Sequence, residues 1–255
     1  ASSFLSLSQF VKAVGSMVAP YLATFFALQF GDWKLLLLAF GGVSLLSVVW
    51  LHFTKITETP ARKEKATLIS SLKLLGNGYI ALMVLGIFFV VGLDVGINSS
   101  SGQFLMEKMN IDPEPAKQGR SLYFFGKTLG TFLGALLLTR LSSKKFLLGS
   151  SLATFTLVFI FIYSSTPFLA VALMFIIGLA ASNIFPLIFS ITVSKYKQRS
   201  NEISGLMIMA VSGGAIIPPF MGGIADLFSI TAGMYVLVLC TLYLLFVSIY
   251  SLKKY

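Results

Sequence analysis

Three ionisable residues stand near the middle of long apolar stretches: Lys12, Asp94 and Lys127. A charge at the centre of a bilayer costs roughly 2.5–3.5 kcal/mol on insertion scales, so such residues usually face a protein interior or a wet cavity and mark a candidate functional site. Their neighbours extend the chemistry. Asp94, Asn98 and Ser101 fall at i, i+4 and i+7, on one face of a helix. A carboxylate, an amide and a hydroxyl on one stripe can hydrogen-bond a polyhydroxylated solute or carry a proton, and a structural ion pair is the competing reading. Tyr123, Lys127 and Thr131 form a second stripe, and Gln9, Lys12 and Ser16 a third. Lys127 lies at a depth compatible with Asp94. Paired with it, Asp94 would stay charged and carry a proton only if the pair broke, so the two are read as a switchable pair. For Lys12, snorkelling toward a membrane surface is the alternative. Asn183 precedes Phe185-Pro186, where proline frees a backbone carbonyl for a ligand or a neighbouring helix, and Pro218-Pro219 does the same farther on. Pro20, Pro186 and Pro218 are candidate bending points. Gly126, Gly130 and Gly134 make two overlapping G-x-x-x-G pairs, read as a close helix contact.

The elements that must position these residues are membrane helices. The chain is 56% hydrophobic and 11% charged, with a mean hydropathy of +0.90. A soluble domain carries about 25% charged residues, so a chain this poor in charge is an integral membrane protein. Spanning helices need about 20 mostly apolar residues. Eight segments qualify, over 4–28, 35–53, 79–106, 121–141, 146–164, 167–193, 203–227 and 231–252. The runs are continuous rather than alternating, which excludes a closed barrel. The fold class is all-α, a polytopic membrane helix bundle.

Charge sets the orientation. Lys55, Arg62, Lys63, Lys65, Lys73, Arg140, Lys144, Lys145, Lys195, Lys197, Arg199, Lys253 and Lys254 put 13 basic residues on one side, against Lys34, Lys108, Lys117 and Arg120 on the other. The basic loops and the C-terminus are therefore cytoplasmic. The loop with Glu107, Asp112, Glu114 and two prolines lies outside. The net charge of +10 comes from residues between apolar runs, the pattern of topology and anionic lipid rather than of nucleic acid. One cysteine, Cys240, and one histidine, His52, make neither a disulfide nor a metal cluster. No G-x-S-x-G and no Walker loop is present, so no enzyme is expected. The chain starts at Ala1, and no charged n-region or cleavage site precedes the first apolar run, so that run is no signal peptide and the chain reads as cut from a longer one.

Gly15 and Pro20 in the first segment match Gly213 and Pro218 in the seventh, both offset by 198 residues. The repeat unit is then six helices long. Residues 1–54 would be the last two helices of an N-terminal half, 55–77 a central basic loop, and 78–255 a complete C-terminal half. Two six-helix halves joined this way describe a transporter architecture. The second, fifth and eighth segments hold no proline and no ionisable residue deep in the membrane, and are expected to face lipid.

Five groups of residues carry a family likeness: Gln9, Gly15, Ala19 and Pro20; Val91-Gly92-Leu93-Asp94-Val95; Gly130, Phe132, Leu133 and Gly134; Gly178, Ser182, Phe185-Pro186 and Ile188-Phe189; and Ser204-Gly205 with Gly213-Gly214-Ala215-Ile216, Pro218 and Asp226. Together they resemble the major facilitator superfamily, and within it the fucose/galactose/glucose–proton symporter branch, as helices five to twelve of twelve. Asp94 then falls on the family's acidic position in the seventh helix. Three positions depart: Thr131 stands for the family arginine, with Lys127 one turn earlier; Ala181 stands for an asparagine, with Asn183 two positions on; and Lys12 stands where asparagine is usual. The resemblance implies uptake of a monosaccharide by proton symport and alternating access, in the bacterial inner membrane. It implies the proton as coupling ion with no other cofactor, and a monomer when full length. Substrate-binding or coupling roles fall on Asp94, Asn98, Lys127 and Asn183, and cavity or gating roles on Gln9, Lys12, Tyr123, Thr131, Pro186 and Pro218. The family's main protonation carboxylates lie on its first and fourth helices, before this chain. A same-fold carrier of an organic anion or drug, with Lys12 and Lys127 as anion contacts, is the rival; a non-transporting membrane sensor is the third reading.

Overall fold

The structure is a computed structural model that describes residues 2–55, 67–111 and 113–253, without the side chains at 16, 17, 20, 21 and 113–118. The middle of the basic loop, Asp112 and the side chains of Ser16, Pro20 and Glu114 thus lie outside the described residues. Two compact units are present, Ala1–Ala13 with Ala66–Tyr255, and Val14–Lys65.

The smaller unit holds the later part of α1 (Ser2–Phe30) and α2 (Leu35–Phe53). Gly31, at φ +75°, ends α1 in the left-handed conformation, and its N–H bonds to the Ala27 carbonyl at 3.1 Å, a glycine C-terminal cap. Lys34 N–H then donates to the Asp32 carboxylate at 2.9 Å, steering the chain into α2.

The larger unit runs α3 (Leu68–Lys73), α4 (Gly78–Met109), α5 (Pro113–Leu137), α6 (Ser143–Tyr163), α7 (Pro167–Ala181), α8 (Ile184–Lys195), α9 (Ser200–Met209), α10 (Gly213–Leu227) and α11 (Ile230–Lys253). Among the described residues, six stretches are long and apolar enough to cross a membrane, with α7–α8 and α9–α10 each counted as one. α1, of 29 residues, and α5, of 25, fill the two other expected segments.

Boundaries differ from the sequence expectation in three places. α5 begins at Pro113, eight residues early, because proline suits the first helical position, where its missing N–H needs no partner. The segment over 167–193 is split at Ser182 and Asn183. Pro186 has no N–H for the Ser182 carbonyl and crowds the turn before it, so the helix breaks there. The segment over 203–227 narrows to a 3-10 turn at Ala210–Ser212 before Pro218 and Pro219, whereas α1 runs unbroken past Gly15 and Pro20.

Packing is tightest where side chains are smallest. α5 lies against α7: a Cβ on Gly126 would fall on the Phe175 carbonyl oxygen, and one on Gly178 would fall on the Tyr123 carbonyl oxygen. Within a bilayer, backbone approach of this kind supplies the dispersion contacts that hold helices together. α4 crosses α10 in the same way, with Gly213 against the Phe88 carbonyl and Gly92 against Ile217. The core is filled by Met83, Ile87 and Leu93 of α4, Leu187 and Ile188 of α8, and Leu237 and Leu244 of α11. α6 and α11 each bury one face and expose an apolar row, Phe159 and Ile160 on the first, Leu239, Leu242 and Phe246 on the second.

Candidate functional site

Asp94 sits midway along α4, and its carboxylate is gripped from α5. Lys127 Nζ donates to Oδ2 at 2.5 Å, and the Tyr123 hydroxyl donates to Oδ1 at 2.7 Å. The helical repeat explains the grip: Tyr123 and Lys127 are one turn apart and reach the same neighbour. Tyr123 is 1% exposed. The side chains of Lys127 and Asp94 keep 24% and 31% of their surface. The pair is therefore desolvated on one side and open on the other, the arrangement that lets a solute or a proton reach a charge held by protein. Lys12 of α1 is close enough for its positive charge to act on Asp94. Asp94 and Lys127 form the close ion pair, and Lys12 is the weakest of the charges acting on Asp94, from an exposed position on α1.

The first turns of α1 are fixed on the larger unit. The Ser3 hydroxyl donates to the Ala135 carbonyl at 2.8 Å, the Phe10 and Phe132 rings lie 5.4 Å apart, and Ser6 and Ala13 are buried. Gln9, between them on the helix, is half-buried. Asn98, one turn beyond Asp94, is half-buried and makes no hydrogen bond to another described residue. Ser101 continues that stripe into the interior, where its hydroxyl is buried without a partner among the described residues.

The other candidates lie elsewhere in the bundle. Thr131 is 0% exposed, and its hydroxyl donates to the Thr128 carbonyl of its own helix. Asn183 sits in the break between α7 and α8, pressed against Gly134, where a Cβ would collide with its amide. Its Nδ2 donates to the Gly130 carbonyl at 2.7 Å. Pro186 is buried one turn later and Pro218 is half-buried on α10. Asn183 therefore ties the broken helix to the glycine seam of α5. Asn183→Asp would set an acceptor against the Gly130 carbonyl and is expected to destabilise the protein by about 1–3 kcal/mol. Asn183→Leu should lower the melting temperature less, as measured by thermal unfolding in detergent. The tie from Asn183 to Gly130 joins segments 53 residues apart in the chain, and no local spacing signals it. Among the described residues no cluster of His, Cys, Asp or Glu could hold a metal ion.

The comparisons agree on one architecture. A protein of Helicobacter pylori (strain ATCC 700392 / 26695) is 30% identical over 217 residues, 83% of this chain and 52% of its own length. The glucose/galactose transporter of Brucella abortus biovar 1 (strain 9-941) is 25% identical over 274 residues, 100% of this chain and 64% of its own. The glucose/mannose transporter GlcP of Bacillus subtilis (strain 168) is 34% identical over 145 residues, 54% of this chain and 35% of its own. The chain spans about half the length of the Helicobacter relative. The crystal structure of a Major Facilitator Superfamily transporter, FucP, in the outward conformation matches with a TM-score of 0.74 at 20% identity, over 82% of this chain and 52% of that one. A structure of the E. coli fucose:proton symporter FucP gives the same TM-score, so the fold is shared. The Major Facilitator Superfamily model matches residues 83–254. With its apolar spans and this match, the chain is a multi-pass membrane protein and belongs to the Major Facilitator Superfamily.

Proposed function

We propose that the protein carries a monosaccharide across the cell membrane by proton symport and alternating access. The observation that carries this reading is the Asp94 carboxylate held between Lys127 and Tyr123, half-open within a membrane helix. The names of the Brucella and Bacillus relatives, which pair glucose with galactose or mannose, support the solute class. In this scheme Asp94 takes up the proton. Protonation removes the negative charge that holds Lys127, and the released ammonium and the Asn98 amide become donors for sugar hydroxyls. Gln9 and Lys12 face the same solute from α1. The proton is the coupling ion, with no covalent chemistry and no other cofactor. Residues 1–54 and 78–255 act as parts of two halves joined by the loop at 55–77. The excess of basic residues in that loop and its equivalents supports an inner-membrane location with the C-terminus cytoplasmic. A monomer in the lipid bilayer is the simplest working unit.

A second reading rests on the two-to-one excess of ammonium over carboxylate at the site, which would suit an organic anion. Counterflow in proteoliposomes of the full-length protein, with a panel of neutral hexoses and a hexuronate, separates them. Exchange of at least one neutral hexose is the expected result, together with its net accumulation under an inside-alkaline gradient, which a protonophore abolishes. Exchange of the hexuronate alone would replace the sugar reading with the anion one. If nothing exchanges and no solute raises the melting temperature, transport itself is the wrong function.

A further inference from the structure

Asp94, Asn98 and Gly102 stand at i, i+4 and i+8 on α4, a row that runs from the ion pair toward the C-terminus of the helix. Arg120, Tyr123 and Lys127 share one face of α5, at i, i+3 and i+7. The two rows meet at both ends. At one end Lys127 and Tyr123 hold the Asp94 carboxylate. At the other the Arg120 guanidinium comes up against Gly102, where a Cβ would stand 3.0 Å from Nη2, 3.3 Å from Nε and 3.5 Å from Cζ. Gly102 is buried, and its missing side chain makes the room that the guanidinium occupies.

Those three distances also fix the orientation. Both nitrogens are nearer to α4 than the carbon that joins them, so the Nε–Nη2 edge is turned to the helix and Nη1 is turned away from it. Arg120 is exposed, and its one hydrogen bond to a described residue is at the limit of length, 3.5 Å from Nη2 to the Ser99 carbonyl. Glu107, farther along α4, accepts from Gln103 at 2.7 Å instead. The outer edge of the guanidinium is thus an unspent pair of donors in a set position. Ser99 lies five residues past Asp94, roughly 7.5 Å along the axis. That is the scale of one sugar ring with its hydroxyls, so a hexose at Asp94 reaches Asn98 and Arg120 together. Asn98 brings a donor and an acceptor between the two charged ends. A planar fork of donors suits two neighbouring oxygens, as the vicinal hydroxyls of a pyranose present them.

We propose that Arg120 is a specificity-determining residue of the carrier. Its outer fork binds two neighbouring hydroxyls of the hexose, and Gly102 sets where that fork lies. The inference rests on the sugar-carrier reading above and adds to it the group that selects among hexoses.

The test is counterflow in proteoliposomes of the full-length protein. It measures the half-saturating concentration of a hexose that the parent exchanges, and competition by the monodeoxy analogues of that hexose. The parent is expected to reject at least one analogue by about tenfold, because the loss of a hydroxyl leaves a donor unpaired. Arg120→Lys keeps the positive charge and loses the fork. It should raise the half-saturating concentration by about tenfold and shrink the discrimination to about threefold or less. Gly102→Ala is the second variant. The obstacle to its methyl group is the end of a flexible side chain, so the fold should melt as the parent does while the guanidinium is displaced and the same discrimination is lost. If the parent exchanges the hexose and Arg120→Lys alters neither affinity nor discrimination, the arginine is only a surface charge; this inference falls and the carrier reading stands. Weaker affinity with the discrimination intact also overturns it, since the fork then reads no hydroxyl. A parent that exchanges no hexose overturns both.

Discussion

Asp94→Asn is expected to abolish accumulation of hexose against its gradient while solute exchange between the two sides continues. Asparagine keeps the shape of the side chain and can still accept from the Tyr123 hydroxyl, which lies 2.7 Å from Oδ1 in the parent. It cannot gain or lose a proton at any accessible pH. A carrier fixed in the neutral form can cycle loaded in both directions, but nothing ties its cycle to the proton gradient. The substitution also strands the Lys127 ammonium, which donates to Asp94 at 2.5 Å in the parent. Breaking one partner of a buried pair costs about 3–5 kcal/mol. This pair keeps a quarter to a third of its side-chain surface, so about 1–3 kcal/mol is the appropriate loss here. Asp94→Asn combined with Lys127→Gln removes both charges and should recover most of the melting temperature without recovering accumulation. That double variant separates the pair's structural role from coupling. If Asp94→Asn builds the same steady-state hexose gradient as the parent, Asp94 does not couple transport to protons.

The largest effect on stability is expected at the seam of α5 and α7. Gly178→Val would drive a branched side chain into the Tyr123 carbonyl, and Gly126→Val would drive one into the Phe175 carbonyl. Backbone cannot swing aside as a side-chain tip can. Overpacking typically costs about 1–3 kcal/mol and more where the obstacle is rigid. Each variant should therefore sharply reduce the folded yield and the melting temperature in detergent. The damage reaches the candidate site, because Tyr123 both borders the seam and holds Asp94. Gly149→Ala in α6 is the control. Its added Cβ meets no atom within 4 Å, so it should be neutral or stabilise by about 0.5–1 kcal/mol. A seam variant that melts like the parent would mean that α5 and α7 are not in backbone contact.

Much of this arrangement is legible in the sequence. The helices follow from apolar length, and the meeting of Asp94 with Lys127 follows from equal depth in neighbouring segments. Tyr123 joins them because the helical repeat sets it one turn from Lys127. The glycine spacing signals a close contact but not which helix makes it. The proline positions signal interruption, yet they mark it imprecisely. The break before Pro186 lies within one turn, while the narrowing before Pro218 begins eight residues earlier, at Ala210. Asn183 is the clearest case of what local pattern cannot show. Its neighbours in the chain suggest a side chain available to a solute, and only the packing of α7–α8 on α5 turns its amide into the seam. Lys12 is similar, since Asp94, on which its charge acts, lies 82 residues away on another helix.

The two interruptions also decide where the larger unit can be soft. α5 and α7 touch backbone to backbone, as do α4 and α10, so neither pair can shear without atoms colliding. Among the described residues, regular helical hydrogen bonding within a span lapses at 182–183 and at 210–212. Those are the places where a span would bend most readily. α8 and α9 lie between those two joints with Leu187, Ile188, Ile203 and Leu206 buried in the core, so a bend at either joint would have to carry core side chains with it.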